Sequence, residues 1–403
     1  MSALRFGYVT APLLGVLWTF VIATTVAVTM SFATGDAYRP TMLWSLPVGI
    51  GLGFLALIRP NYWLVAGAAA LAGGVLLFLG VGPLLAETDA TGQRIIASLL
   101  FGIGTGWPLA YFVRELPQGV LTRHEFEEAV IRFLLGVGYI FFIAIVIIPF
   151  YVMVMTSLKN QAELLANPLD FSLDLSKGWD LFRSYRELMT DFNFGSYLWT
   201  SFYVSVLTVI LTLLFSVPGA YAVARLRFRG RAAFSRSILL IYMVPLIVLA
   251  LPIYIAFSVT GLRNTIAGIL MIYPVTTIPV ALYMLQGYFR GLPAEVEEAG
   301  LMDGLTRLQV VWKITLPLSL PALASVSLYV FMIAWNEFLL AFMLLDDPSK
   351  FTLTRGIASL NSSEIPRQHL MAGSVIATVP VMALFLGLER FMTKGLTAGS
   401  VKG

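Results

Sequence analysis

The 403-residue chain contains no cysteine, has two histidines, His124 and His369, and carries charge on only 12% of its residues. Without cysteine there is no disulfide and no thiolate metal site, and two histidines so far apart offer no imidazole cluster for a metal. A soluble globular chain is roughly 25% charged, so this composition excludes a protein made chiefly of soluble domains. No G-x4-G-K-[ST] phosphate loop occurs, which leaves the chain no cradle of that kind for nucleotide phosphates. The net charge of +4 is small and the basic residues do not cluster with stacking aromatics, so no nucleic-acid surface is expected. No paired carboxylates or metal ligands gather at one membrane depth, and the chain is not expected to be an enzyme. Low-complexity tracts and evident internal repeats are absent as well.

What is present is apolar: 58% of the residues are hydrophobic. Crossing about 30 Å of hydrocarbon takes roughly 20 helical residues, and runs of about that length recur along the whole chain. Four come first, Val9 to Ala33, Thr41 to Ile58, Trp63 to Leu85 and Ile95 to Val113. Six follow, near Phe133 to Met155, Leu198 to Ala224, Ile238 to Ser258, Ile266 to Leu285, Leu318 to Leu345 and Leu370 to Leu388. The expected fold is an all-α integral membrane protein. Val9 to Ala33 is too long for the roughly 7 to 15 residue core of a secretory signal, so it is expected to stay as a first span.

Short-loop charge gives a topology. Arg225, Arg227, Arg229, Arg231 and Arg236 crowd the connection after the sixth segment, which is therefore expected on the cytoplasmic side, with lipid head groups as a second role for the cluster. Alternation then places both termini in the cytoplasm, together with Arg59, Arg114 and Arg123. The connections from Lys159 to Tyr197 and from Asp346 to Gln368 fall outside. The first carries Trp179, Phe182, Tyr185 and Phe192, a mixture that fits a soluble partner or packing on its own helices equally well. Pro245, Pro252, Pro274 and Pro279 interrupt the seventh and eighth segments, where they form kinks or line a cavity.

The connection after the eighth segment, 287–317, differs from the others. Pro293 starts a short helix whose Glu295, Glu297 and Glu298 suit a helix N-terminus. Gly304 permits a reversal, and Thr306 with Gln309 forms a capping box for a second helix, whose apolar Leu308, Val311 and Trp312 repeat until Pro317 ends it. A hairpin lying on the bilayer would favour basic residues, whereas the first helix here is acidic, so a protein partner is expected to hold it.

Glu298-Ala299-Gly300, then Gly304, Ile314 and Leu316-Pro317, closely resembles the E-A-A-x3-G-x9-I-x-L-P signature of ABC importer permeases, with Gly300 in place of the second alanine. Trp335-Asn336-Glu337-Phe338 and the C-terminal run 395–403 resemble the carbohydrate branch, in particular the second permease of maltose-type importers. The resemblance covers residues 131–403 and implies a six-helix permease core there, preceded by an extension of about four helices over 1–130. It implies that the hairpin, through Glu297, Glu298, Ala299, Gly300, Asp303, Gly304, Ile314, Leu316 and Pro317, couples to an ATPase subunit, with Glu298 as the ionic contact and Gly304 as the turn. The tail, with Thr397, Gly399, Lys402 and Gly403, would reach the same ATPases.

The partners implied are an ATPase dimer that binds ATP and Mg, a second permease and an extracytoplasmic solute-binding protein. No cofactor is expected in this chain, and the location implied is the bacterial inner membrane. Trp335, Asn336 and Glu337 are candidates for the solute path, with Glu337 alternatively a brace inside the bundle. The connection at Val259 to Thr265 is short, so a long solute-dislodging loop is not expected. A carbohydrate is the expected solute, an oligosaccharide or α-glucoside first, a polyol or glycerol phosphate behind it. The rival is an ion-coupled secondary transporter, against which stands a single acidic hairpin without a matching copy.

Overall fold

The computed structural model describes residues 5–167, 170–240, 244–362 and 365–397, without the side chains of Leu239 and 388–397. It consists of helices and one short two-stranded ribbon, in two compact units, residues 1–181 and 182–403. Among the described residues six helices are long and apolar enough to cross a membrane, up to seven if one bent pair counts as a span, and three more are apolar but shorter.

The first unit holds α1 (Gly7–Thr34), α2 (Met42–Ile58), α3 (Tyr62–Phe78), α4 (Thr91–Val113), α5 (Arg123–Ser157) and α6 (Gln161–Ala166). Its helices approach closely because small residues face each other, as membrane helices do when they pack by contact rather than by exclusion of water. A Cβ on Gly106 of α4 would lie 2.3 Å from the Ala66 backbone of α3, and one on Gly49 of α2 would lie 2.4 Å from Val16 Cα of α1. Trp18 centres the core, edge-on to Phe112 at 4.9 Å, with its indole N–H donating to Gly104 O at 2.9 Å. The third segment stops short of its expected end. Helix α3 closes at Phe78, and Leu84–Ala86 (β2) turns back to pair antiparallel with Tyr38–Pro40 (β1). Gly80 and Gly82, both at positive φ, make that exit possible.

The second unit holds α7 (Arg183–Thr190), α8 (Phe194–Arg225), α9 (Arg231–Leu240), α10 (Leu246–Val259), α11 (Ile266–Gly291), α12 (Ala294–Met302), α13 (Arg307–Val310), α14 (Leu316–Leu318), α15 (Leu320–Asn336), α16 (Leu339–Leu344), α17 (Leu353–Ser359) and α18 (Arg367–Thr397). Helices α8 and α11 pack through buried hydroxyls, Thr212 and Thr277 meeting at 2.6 Å. Tyr197 of α8 lies against Gly356 of α17, where a Cβ would come within 2.3 Å of its ring. Leu353 N donates to Ser201 Oγ at 2.7 Å and secures the same contact.

Two expectations for this unit, the seventh and the ninth segments, are corrected. The seventh segment is two helices, α9 and α10, on either side of residues outside the description. Of the four prolines, Pro245 stands at a helix boundary and Pro252 lies within α10, while α11 continues through Pro274 and Pro279, which line a cavity with Leu211 and Phe215 of α8. The ninth segment is not one span. It breaks at Glu337 before α16, and at its very start, at Ser319, the chain bends by 78° between the 307–318 arm of the hairpin and α15. The bend falls between Pro317 and Pro321, where the backbone reaches φ −97°, ψ 5°. A proline in a helix loses one backbone donor and crowds the preceding turn, which makes this the weak point.

Candidate functional site

The hairpin after α11 is built as two arms around a glycine turn. Leu292 and Pro293 are extended, α12 follows, and Gly304 takes φ 83°, a left-handed conformation in which a side chain is strained. Thr306 and Gln309 complete the expected capping box: Thr306 Oγ1 accepts from Gln309 N at 3.3 Å, and Gln309 Oε1 accepts from Thr306 N at 2.8 Å. The second arm does not end at Pro317. It runs from α13 through a wider turn at Val311–Thr315 into α14 and the bend.

The inner side of the hairpin is closed by its own residues. A Cβ on Gly300 would stand 2.5 Å from Ile314 Cδ1 and 3.5 Å from Leu305 and Val310, so glycine at this signature position lets Ile314 lie flat. Val310 is buried, whereas Leu308 and Trp312 are 69% and 66% exposed and Met302 is 88% exposed. Of the apolar repeat Leu308, Val311 and Trp312, the first and last are therefore exposed and Val311 is half-buried. Leu308 and Trp312 are exposed on this arm, and the side chain of Glu298 is exposed on the other.

Glu297 and Glu298 are neighbours with opposite environments, because successive helical residues point roughly 100° apart. Glu297 is buried. Its carboxylate accepts from Thr315 Oγ1 at 3.0 Å and from the Tyr221 hydroxyl at 3.3 Å, and it lies 3.3 Å from Arg225 Nε. Arg225 Nη2 donates to Leu292 O at 2.7 Å. Arg231 finishes the end of α8, donating to Val223 O at 2.7 Å and Ala224 O at 3.0 Å. Two of the five crowded arginines thus have structural partners. Tyr221, Arg225 and Thr315 were not foreseen as site residues, and only the doubled glutamate hinted that one carboxylate faces in.

The three solute-path candidates separate. Trp335 is buried, with its indole N–H on Ala377 O at 3.1 Å. Glu337 accepts from Leu340 N at 2.7 Å and Ala341 N at 3.1 Å, capping α16. Asn336 is exposed, its Nδ2 donating to Met332 O at 2.8 Å. The side chain of Thr397 and all of Gly399, Lys402 and Gly403 lie outside the described residues.

In the short 259–265 turn, Asn264 takes φ 56° and its Oδ1 accepts from Asp346 N at 3.1 Å and Asp347 N at 3.0 Å, tying the turn to the segment after α16. Arg263 pairs with Asp346 there and covers the Tyr254 ring at 4.8 Å. Tyr185 and Phe192 pack against the second unit's core, Phe192 beside the His369 ring at 5.3 Å. Trp179, in the first unit, is 83% exposed by area and Phe182, in the second, 49%.

Residues 216–396, which include the hairpin, match the family described as binding-protein-dependent transport system inner membrane component. The inner membrane ABC transporter permease protein YcjP of Escherichia coli is 38% identical over 269 residues, 66% of this chain and 95% of that protein. This chain belongs to that permease family. The trehalose/maltose transport system permease protein MalG of Thermococcus litoralis is 34% identical to the permease, over 69% of this chain and 99% of MalG. The arabinooligosaccharides transport system permease protein AraQ of Halalkalibacterium halodurans is 32% identical over 283 residues. A solved bacterial ABC transporter involved in import of the acidic polysaccharide alginate shares the fold, with TM-score 0.55 over 67% of this chain and 98% of that one, at 24% identity. The permease is thus an ABC transporter subunit with about a third of its chain beyond the reach of these relatives.

Proposed function

We propose that the permease is the membrane subunit of a carbohydrate importer and that its hairpin is held by an ATPase subunit. The observation that carries this reading is the contrast between the hairpin's two sides. Inside, Gly300, Ile314 and Val310 close on each other and Glu297 is satisfied, while Met302, Leu308, Trp312 and Glu298 stand exposed. An apolar patch rimmed by charge marks a protein interface. In this reading Glu298, Ala299 and Asp303 contact the ATPase, and Gly300, Gly304, Ile314, Leu316 and Pro317 shape the hairpin.

ATP and Mg then reside in the ATPase dimer, a second permease completes the pathway, and an extracytoplasmic binding protein delivers the solute. ATP binding switches the paired permeases between two rigid-body states. The names of MalG and AraQ favour an oligosaccharide or α-glucoside. Both termini and the hairpin lie in the cytoplasm of a cell with its permease in the inner membrane, and the run from Thr397 through Gly399 and Lys402 to Gly403 extends towards the ATPases. Residues 131–403 are the core and 1–130 an extension. Of the three residues assigned to the solute path, Asn336 is the one whose exposure suits contact, while Trp335 and Glu337 brace.

The test is a Glu298→Lys variant, purified by a tag on this chain. Loss of the co-purifying ATPase, with normal membrane insertion, is expected. An undiminished ATPase content would overturn the docking assignment, and uptake by liposomes holding this chain alone would favour an ion-coupled transporter.

A further inference from the structure

We infer that Glu297 is a positioning residue which, through Arg225, Tyr221 and Thr315, straps both arms of the hairpin to the end of α8 so that hairpin and helix move as one body. The inference rests on the docking reading above, and it concerns what happens after docking.

The need for a strap follows from the two joints of the hairpin. On one side it is joined to α11 through the extended Leu292 and Pro293, and on the other to α15 through the 78° bend at Ser319. A pull on α12 can therefore be absorbed at either joint, since extended and bent backbone takes up rotation that a continuous helix would transmit. Covalent connection alone does not oblige any span to follow. The carboxylate of Glu297 removes that freedom, because its partners come from two other places: Thr315 from the opposite arm, and Tyr221 and Arg225 from the last turns of α8. Arg225 also holds the joint itself through Leu292 O.

The junction is built to hold. The side chains of Arg225 and Glu297 are only 14% and 10% exposed, so salt screens their attraction little and removing one strands the other. Glu298, one residue on, has none of these contacts and is exposed. The doubled glutamate thus divides two tasks: the outer carboxylate faces the partner, and the inner one carries the partner's motion to α8.

Because the chain has no cysteine, Glu295→Cys on α12 and Arg227→Cys beyond α8, both at exposed positions, can be spin-labelled selectively on the purified chain before the complex is reassembled with its partners. With Glu297 intact the label-to-label distance should be single and narrow, and unchanged by Mg-ATP with vanadate. Glu297→Gln should widen the distribution about twofold and make it nucleotide-dependent while the ATPase content stays normal. The exchanged pair Arg225→Glu with Glu297→Arg should restore a narrow distance.

A Glu297→Gln distribution identical to that of the intact strap overturns the proposal, and so does an ATPase content reduced as in Glu298→Lys, which would place Glu297 on the docking face. Should Glu297→Gln fail to reach the membrane, Tyr221→Phe, which deletes one hydrogen bond, decides: a broadened distribution is expected and an unchanged one overturns the strap. A Glu298→Lys complex with full ATPase content would instead defeat the docking reading.

Discussion

Replacing Glu337 with alanine removes the acceptor for two backbone donors, Leu340 N at 2.7 Å and Ala341 N at 3.1 Å, on residues that are themselves fully buried. A buried donor left without a partner costs about 1–3 kcal/mol, so the alanine variant should lose about 2–6 kcal/mol of stability. Glutamine keeps one acceptor oxygen, and Glu337→Gln should lose about 1–3 kcal/mol. Unfolding of the detergent-solubilised chain by sodium dodecyl sulfate, followed through tryptophan fluorescence, would read both differences. Their order is the informative part: alanine worse than glutamine, glutamine worse than glutamate. An alanine variant as stable as the parent, with weakened solute affinity as its sole defect, would refute the cap and return Glu337 to the solute path.

At the hairpin, Thr306→Ala deletes the capping-box acceptor for Gln309 N and should cost about 1 kcal/mol of local stability, seen as roughly fivefold faster amide exchange over 307–311. At the opposite end of the second unit, Arg183 donates to Glu187 at 2.7 Å and, with His369 at 2.8 Å, holds that carboxyl below its ordinary value of 4.5, against the opposing effect of partial burial. A carboxyl whose folded pKa is lowered adds stability that is complete above its unfolded pKa and is lost as pH falls through the folded one. Protection of α7 and the start of α18 from proteolysis should therefore hold down to pH 4.5 and decline below it, and Glu187→Gln should flatten that decline.

Much of the architecture follows from sequence alone, because a helix that faces lipid must be apolar over a length set by the bilayer. The ten apolar segments all contain helices, and the signature hairpin turns at Gly304 with the capping box where Thr306 and Gln309 require it. Those features are local: a positive φ, a short-range hydrogen bond, or a run of one residue class. Where each helix stops was less legible. Helix α3 gives way to β2 after Phe78, and the ninth segment breaks at Ser319 and again at Glu337, since hydropathy carries no record of where a backbone donor finds a side-chain partner.

Side-chain direction was left to the tertiary structure. Helical spacing said that Leu308, Val311 and Trp312 recur but not which way they point, and charge read Arg225 only as one of a cluster; packing leaves Leu308 and Trp312 exposed and sets Arg225 against Glu297. The reason is geometric: Glu297 meets Tyr221 and Arg225 across more than 70 residues of chain, and nothing in a run of sequence specifies which of two adjacent carboxylates an approaching helix will reach. The class of residues needed at the hairpin was thus a property of the chain, while the choice of which carboxylate braces and which stays exposed came only when α8 and both arms closed on the same point.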